Sequence, residues 1–373
     1  MPKVFVGMSG GVDSSVSAAL LVEQGYDVTG VYMKNWSRDL PGMKCPWAED
    51  LADAKRVAVK LGIPFEVWDF EEAYREKVVE YMLAEFKKGN TPNPDIMCNQ
   101  EIKFKLFYEK ATERGADFIA TGHYARIIDG KLARAVDENK DQTYFLYRIS
   151  NEALTHTIFP IGEMLKPDVK KLAEKKGLHN AYKKESMGVC FVGEVGMKDF
   201  LKEYIDIQPG EIREIETEKV LGYHEGAVFY TIGQRHGLYI SGNKGEVNDG
   251  MPYYVVKKDL EKNIVYVSKN LNDSHIWTKE LKLKDVLMRT KIALSRDASS
   301  RPSLRGSSLR TLPLSRMPRE KTILVRLRHR APLIPAKFDG ETLYFEQEIK
   351  RPAAGQSAVL YDGEICLGGG IIA

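Results

Sequence analysis

Through its first half the chain alternates short apolar runs with amphipathic stretches. KVFVGM (3–8) is an apolar run that suits a buried parallel strand. VSAALLVEQG follows with helical spacing and stops on Gly25. DVTGVYM predicts a second strand, AEDLADAKRVAVKLG an amphipathic helix closing on Gly62, and PFEVWDF a third strand. EEAYREKVVEYMLAEFKKG predicts a long helix ending at Gly89, QEIKFKLFYEKATERG another, and ADFIATGHYAR a further strand. This alternation predicts an α/β fold with a parallel sheet covered by helices on both faces. Ligands of such sheets bind at the carboxyl ends of the strands.

From Gln208 the texture changes. AVFYTIG, PYYVVKK and NIVYVSK are strand-like pieces separated by Gly, Asn and Asp turns, and predict a small β-rich middle domain. TILVRLR, AKFD, ETLYFEQ and SAVLYDG predict a C-terminal β-barrel or sandwich. The expected division is 1–205, 206–280 and 281–373. One stretch fits none of these. Residues 295–320, SRDASSRPSLRGSSLRTLPLSRMPRE, are rich in Ser, Arg and Pro and hold no carboxylate between Asp297 and Glu320. That composition predicts a flexible, basic segment. It reads either as an RNA-binding loop or as a local insertion without function.

The 373 residues suit two or three domains. A net charge of +3 means that any nucleic-acid surface must come from local clustering. No apolar run reaches the ~20 residues that span a bilayer, and MPKVFVGM has no signal-peptide pattern, so no membrane partner and a cytoplasmic location are expected. The four cysteines, Cys45, Cys98, Cys190 and Cys366, form no C-x-x-C pair, which argues against a cysteine zinc site; no metal site is expected on the protein.

Candidate chemistry starts at the first strand–helix turn, SGGVDSS (9–15). A glycine-rich turn at a helix start presents free N–H groups and the positive end of the helix dipole, which together bind phosphate. Gly10 and Gly11 let a ligand approach the backbone; Ser9, Ser14 and Ser15 add hydroxyls. Asp13 would repel phosphate unless it caps the helix or holds a metal ion. The usual phosphate-loop lysine is missing. In NPDIMCNQEIKF (93–104), TPNP sets Asp95 and Cys98 just ahead of a helix, where the dipole favours a thiolate. Cys190 lies in ESMGVCFVGE, a small-residue turn ahead of the helical stretch VGMKDFLKEYI.

SGGVDSS resembles the signature of the PP-loop ATP pyrophosphatases. SGGVDSS, NPDIMCN, ATGHYAR, DQTYFLY, VCFVGE, IGQRHGL and AGQSAVLYDGEICLGGGII follow one another over nearly the whole chain, and together they resemble the bacterial tRNA-specific 2-thiouridylases. The resemblance implies ATP with Mg²⁺, adenylation of the 2-oxygen of the wobble uridine in tRNAs for Lys, Glu and Gln, and release of pyrophosphate. It implies that Gly7, Met8, Ser9, Gly10, Gly11, Val12, Asp13, Ser14 and Ser15 hold the phosphates, with Met33 and Gly122 at the adenosine. It implies a persulfide on Cys190, supplied by an upstream sulfur donor, and a disulfide to Cys98 at the end; direct attack and release of hydrosulfide both remain open. Asp95 is the candidate general acid/base, with a helix cap as its competing role. The anticodon stem-loop is expected at Asn93, Pro94, Asp95, His123, Gln142, Thr143, Tyr144, Arg328, His329 and Gln356, and a monomer suffices. Two other functions fit parts of the pattern: a PP-loop ligase using ammonia or an amine, and an RNA-binding protein without catalysis. Cys45 and Cys366 are expected to be structural.

Overall fold

The computed structural model describes residues 1–39, 45–184, 196–240, 251–270, 275–289 and 322–373. Five parallel strands form the first sheet in the order β3 (Phe65–Asp69), β2 (Asp27–Lys34), β1 (Lys3–Gly7), β4 (Phe118–Thr121), β7 (Thr157–Ile158). Alternation along β1 explains why it is apolar throughout. Val4 and Val6 enter one core with α1 (Val12–Glu23) and α2 (Trp47–Leu61). Phe5 points the other way, into a core with two long helices, α3 (71–87) and α4 (94–113). Both faces are dry, as expected for a central strand of a parallel sheet.

Each long helix carries a stretch of wide π turns, Arg75–Glu80 in α3 and Cys98–Leu106 in α4. α4 also starts earlier than its apolar spacing predicts. Asn93 accepts hydrogen bonds from the N–H groups of Asp95 and Ile96, and Pro94 occupies the first helical position, where its missing N–H costs nothing. Asp95 and Cys98 therefore lie inside the helix, not ahead of it.

ADFIATGHYAR is two strands. β4 ends at Thr121, and β5 (Ala125–Ile128) turns back through Asp129-Gly130, both at positive φ, into β6 (Lys131–Arg134). An Asp-Gly pair with this backbone is a tight hairpin turn. The hairpin leaves the parallel sheet and joins the C-terminal one.

There, six strands close a barrel: β12 (Trp277–Met288), β15 (Thr342–Lys350), β14 (Ile334–Phe338), β13 (Ile323–Arg326), β16 (Ser357–Asp362) and β17 (Ile365–Ile372), with β12 pairing back to β17. β6 hydrogen-bonds β17 at Ala133 and Ile365. Between the two lies a four-stranded sheet, β10 (Tyr254–Asp259), β11 (Ile264–Ser268), β8 (Gly210–Glu214), β9 (Val220–His224), over its own small core. AVFYTIG supplies no strand to it; Ala227–Phe229 is a short 3₁₀ turn. Residues 295–320 lie outside the described residues. Among the described residues no helix is long and apolar enough to cross a membrane.

A buried ion pair fastens the barrel to the first domain. Arg326 of β13 donates to Asp141 at 2.6 Å, with both side chains almost fully buried. The same carboxylate accepts from the N–H groups of Ala135 and Thr143 and from the Thr143 hydroxyl, which also meets the Tyr361 hydroxyl at 3.1 Å. Removing one member of such a pair strands a dry charge. We expect Asp141→Ala to lower stability by about 3–5 kcal/mol in denaturant titration, and a joint replacement of Asp141 and Arg326 by apolar residues to recover most of the loss.

Candidate active site

The glycine turn follows directly from the sheet. β1 ends between Val31 of β2 and Thr121 of β4, so the chain emerges at the carboxyl edge. Met8 is buried and donates to Val31, and Gly10 then reverses the path at φ +78°. A Cβ on Gly10 would collide with the Asp50 carbonyl of α2. Gly11 is the N-cap of α1 in extended conformation, and no side chain caps the helix. Asp13, a candidate cap by sequence, lies inside the first turn instead. The open N–H groups of that turn, beginning at Val12, are a ready anion site.

The serines mostly brace this turn. Ser15 Oγ donates to Gly11 O at 2.8 Å, and Ser14 Oγ donates to the same carbonyl while accepting from Ser9 N. Ser14 and Ser15 are buried, whereas Ser9 is exposed. Of the three hydroxyls expected at the phosphates, those of Ser14 and Ser15 satisfy a helix-start carbonyl, and that of Ser9 lies 3.4 Å from Ser14 Oγ. Gly122 presses against the turn from β4, where a Cβ would stand 2.6 Å from Ser14 N. Met33, on β2, lies beside Gly7.

Asp13 is neutralised by residues that sequence reasoning missed. Lys166 Nζ meets both carboxylate oxygens, at 2.7 and 2.8 Å, and Tyr124 donates its hydroxyl to Oδ1 at 3.0 Å. Asn180 donates to Gly10 O and Ser15 Oγ, both at 2.9 Å. Lys183 bridges Asp50 and Asp53 at 2.7 Å each. The chain is thereby anchored beside the turn at Asn180 and Lys183. Cys190 itself lies outside the described residues.

The second cluster forms around the start of α4. Asn93, not Asp95, caps the helix, leaving the Asp95 carboxyl available. Burial raises the pKa of that carboxyl, with Lys103 pulling the other way. Cys98 is buried, one turn further on. Asn99 donates to the Phe145 carbonyl, joining α4 to the DQTYFLY segment. The Gln356 side chain donates to Thr91 O at 2.6 Å and Thr91 N donates to Ala354 O, so the TPNP and PAAGQS loops lie together. Gln142 accepts from Tyr124 N through its side chain. His123 connects the clusters. Its ring packs on Phe104 of α4 at 5.7 Å, and Nδ1 meets Thr121 Oγ1 at 2.8 Å.

Several expected RNA contacts are interior instead. Thr143 and Tyr144 have no exposed surface, and the Tyr144 hydroxyl donates to Ser357 O. A polar-aromatic run resembles a nucleic-acid surface, while here each hydroxyl is satisfied across the domain junction. His123 is buried as well, and loss of hydration together with Lys103 holds its pKa well below the ordinary value, so the ring is neutral. Arg328 is exposed. His329 is half-buried against Phe145 at 4.5 Å, and burial, then Arg330 and Arg326, lower its pKa to about 4. Cys366 is buried and its thiol is pushed up to about 12 by loss of hydration, which suits an inert core residue. Among the described residues no cluster of His, Cys, Asp and Glu is arranged to hold a metal ion.

Comparison with known proteins places this geometry. Residues 2–194 match a family model described as tRNA methyl transferase HUP domain, 198–269 a tRNA methyl transferase PRC-barrel domain, and 307–372 an aminomethyltransferase beta-barrel domain. A tRNA-specific 2-thiouridylase MnmA of Listeria monocytogenes serotype 4a (strain HCC23) is 44% identical over 99% of this chain and 94% of its own length. Another, of Pseudomonas syringae pv. syringae (strain B728a), is 45% identical over 100% and 94%. The chain belongs to the tRNA-specific 2-thiouridylase family. The domain models carry the word methyltransferase, but identity over the whole length is with thiouridylases, and it governs the assignment. A solved 4-thiouridine synthetase–RNA complex with bound ATP overlaps only partly: TM-score 0.33, 18% identity, 49% of this chain and 43% of that one. Within this thiouridylase-family chain, the two clusters are linked through Gly122, His123 and Tyr124.

Two outcomes follow from the site. We expect Gly122→Ala to keep its secondary structure by circular dichroism and to lose about tenfold or more in pyrophosphate affinity by calorimetry, because the new methyl displaces the first turn of α1. Asp95 gives a pH signature. Its native carboxyl keeps a proton to higher pH than the unfolded chain, whose value is near 3.8. Stability therefore falls as pH rises from that value through the raised native one, and the penalty is complete above it. Asp95→Asn should raise stability at neutral pH and flatten this slope, read from denaturation midpoints across about pH 4 to 7.

Proposed function

We propose that this chain is an ATP-dependent tRNA-uridine 2-sulfurtransferase acting on the wobble uridine of tRNAs for Lys, Glu and Gln. The observation that carries the nucleotide half of this reading is the uncapped first turn of α1, pinned by Gly122 and facing the strand edge where α/β sheets bind ligands. Ser9 through Ser15 hold the β- and γ-phosphates as the leaving pyrophosphate, and Met33 and Gly122 border the adenosine. Lysine-assisted γ-phosphoryl transfer is not required, because the bond broken lies at the α-phosphate. Mg²⁺ bound to the nucleotide would supply neutralisation of the phosphate charge.

The uridine 2-oxygen attacks the α-phosphate, pyrophosphate leaves, and C2 now carries AMP as a good leaving group. Sulfur arrives as a persulfide on Cys190, loaded by an upstream donor protein. In one route the terminal sulfur attacks C2 directly, AMP departs, and Cys98 then displaces the 2-thiouridine from Cys190. In the other, the Cys98 thiolate attacks the Cys190 sulfur and releases hydrosulfide, which attacks C2. Both end in a Cys98–Cys190 disulfide that an external dithiol reduces by two electrons. Asn180 and Lys183 anchor the chain beside the glycine turn, seven positions before Cys190 in sequence at the nearer of the two. Asp95, with its raised pKa, is placed to donate and accept the proton near the base. Asn93, Gln142, Arg328, His329 and Gln356 border the surface that receives the splayed-out anticodon loop, with Pro94 buried beneath it. The enzyme works as a cytoplasmic monomer.

The test is nucleoside mass spectrometry of tRNA after incubation with enzyme, ATP and a persulfide source. We expect 2-thiouridine with the native chain, none with Cys98→Ala or Cys190→Ala, and near-native yield with Cys366→Ala. No 2-thiouridine from the native chain, with an aminated product that Cys190→Ser forms at the native rate, would mark a ligase instead.

A further inference from the structure

An aspartate in the first turn of a phosphate-binding helix competes with its ligand. Its carboxylate is attracted by the same dipole and N–H groups that should receive phosphate, and it repels the incoming anion. Asp13 is in that position, with its side chain 28% exposed, on the loop side of α1. The structure gives it a built counter-charge. Lys166, only 8% exposed, meets both oxygens; Tyr124 donates to one of them, and the ammonium also lies 5.8 Å from the Tyr124 ring. Lys166 is itself held. It is the first residue of the helix Lys166–Lys175, and its backbone N–H donates to Asp137 at 2.9 Å. Geometry this specific is more than an incidental surface pair, whose contribution is typically small.

We propose that Lys166 is a positioning residue for the phosphates: it draws the Asp13 carboxylate off the helix start and cancels its charge, so that the open N–H groups of α1 accept pyrophosphate. It acts through Asp13 and not by touching the phosphate. This inference rests on the nucleotide reading of the turn, and deepens it by naming what makes an acidic loop receptive to an anion.

The experiment is a double-mutant cycle on the full chain with Lys166→Met, Asp13→Asn and the pair, each titrated with inorganic pyrophosphate, ATP and adenosine. Lys166→Met should lower affinity for pyrophosphate and ATP by about tenfold or more, with adenosine affinity unchanged. Adding Asp13→Asn should restore both to near the level of Asp13→Asn alone, because the charge to be cancelled is gone. Lys166→Arg should stay near the native values. Equal losses for adenosine, or a double variant as weak as Lys166→Met, would overturn the inference; the second result would mean direct phosphate contact. The double variant leaves no stranded charge, so it reports even where Lys166→Met folds poorly. A native chain that binds pyrophosphate but neither ATP nor adenosine would sink the nucleotide reading and leave this pattern to be read from pyrophosphate alone. A native chain that binds none of the three sinks both.

Discussion

The site depends on a backbone-to-backbone approach that tolerates no side chain. β4 lies next to β1 in the sheet, and both end at the same edge, so the chain leaving β4 must pass the first turn of the helix that β1 launches. Gly122 makes that passage. The two residues after it carry the consequence outward: His123 packs on Phe104 of the helix that bears Cys98, and Tyr124 reaches Asp13. Three consecutive residues thus hold the phosphate turn and the cysteine helix in one frame.

Two ion pairs mark the ends of that frame, and their environments separate their roles. Asp141 and Arg326 are dry on both sides and surrounded by further donors to the same carboxylate, which is the signature of a structural lock between domains. In the Asp13–Lys166 pair only the lysine is sealed, while the carboxylate keeps a face toward the turn. A pair left half-open at an anion site responds to what arrives there; a pair closed on both sides does not.

Much of the layout was legible in the sequence. Apolar runs broken by glycine showed the parallel sheet because a buried strand leaves no polar face to confuse the pattern, and SGGVDSS was recognisable because its chemistry is local. The losses have physical causes. ADFIATGHYAR keeps an apolar texture across Gly122 although the strand changes sheets, and the Asp129-Gly130 pair was the signal that a hairpin follows. DQTYFLY looks like an exposed surface, but its polar groups are satisfied by a barrel more than two hundred residues away, as the Tyr144–Ser357 bond shows. Lys166, at the head of a lysine-rich helix, reads as solvated charge; only the packing of that helix against α1 reveals its partner. Cys98 is buried one turn into its helix, and Cys190 lies outside the described residues.

The hairpin β5–β6 grows out of the five-stranded parallel sheet and continues as an outer strand of the barrel through β17. A shared strand order of this kind is a brace, not a tether. The barrel cannot swing on a flexible linker without tearing ladder hydrogen bonds and opening the Asp141 lock, so the spacing between its loops and the phosphate turn behaves as a fixed gauge.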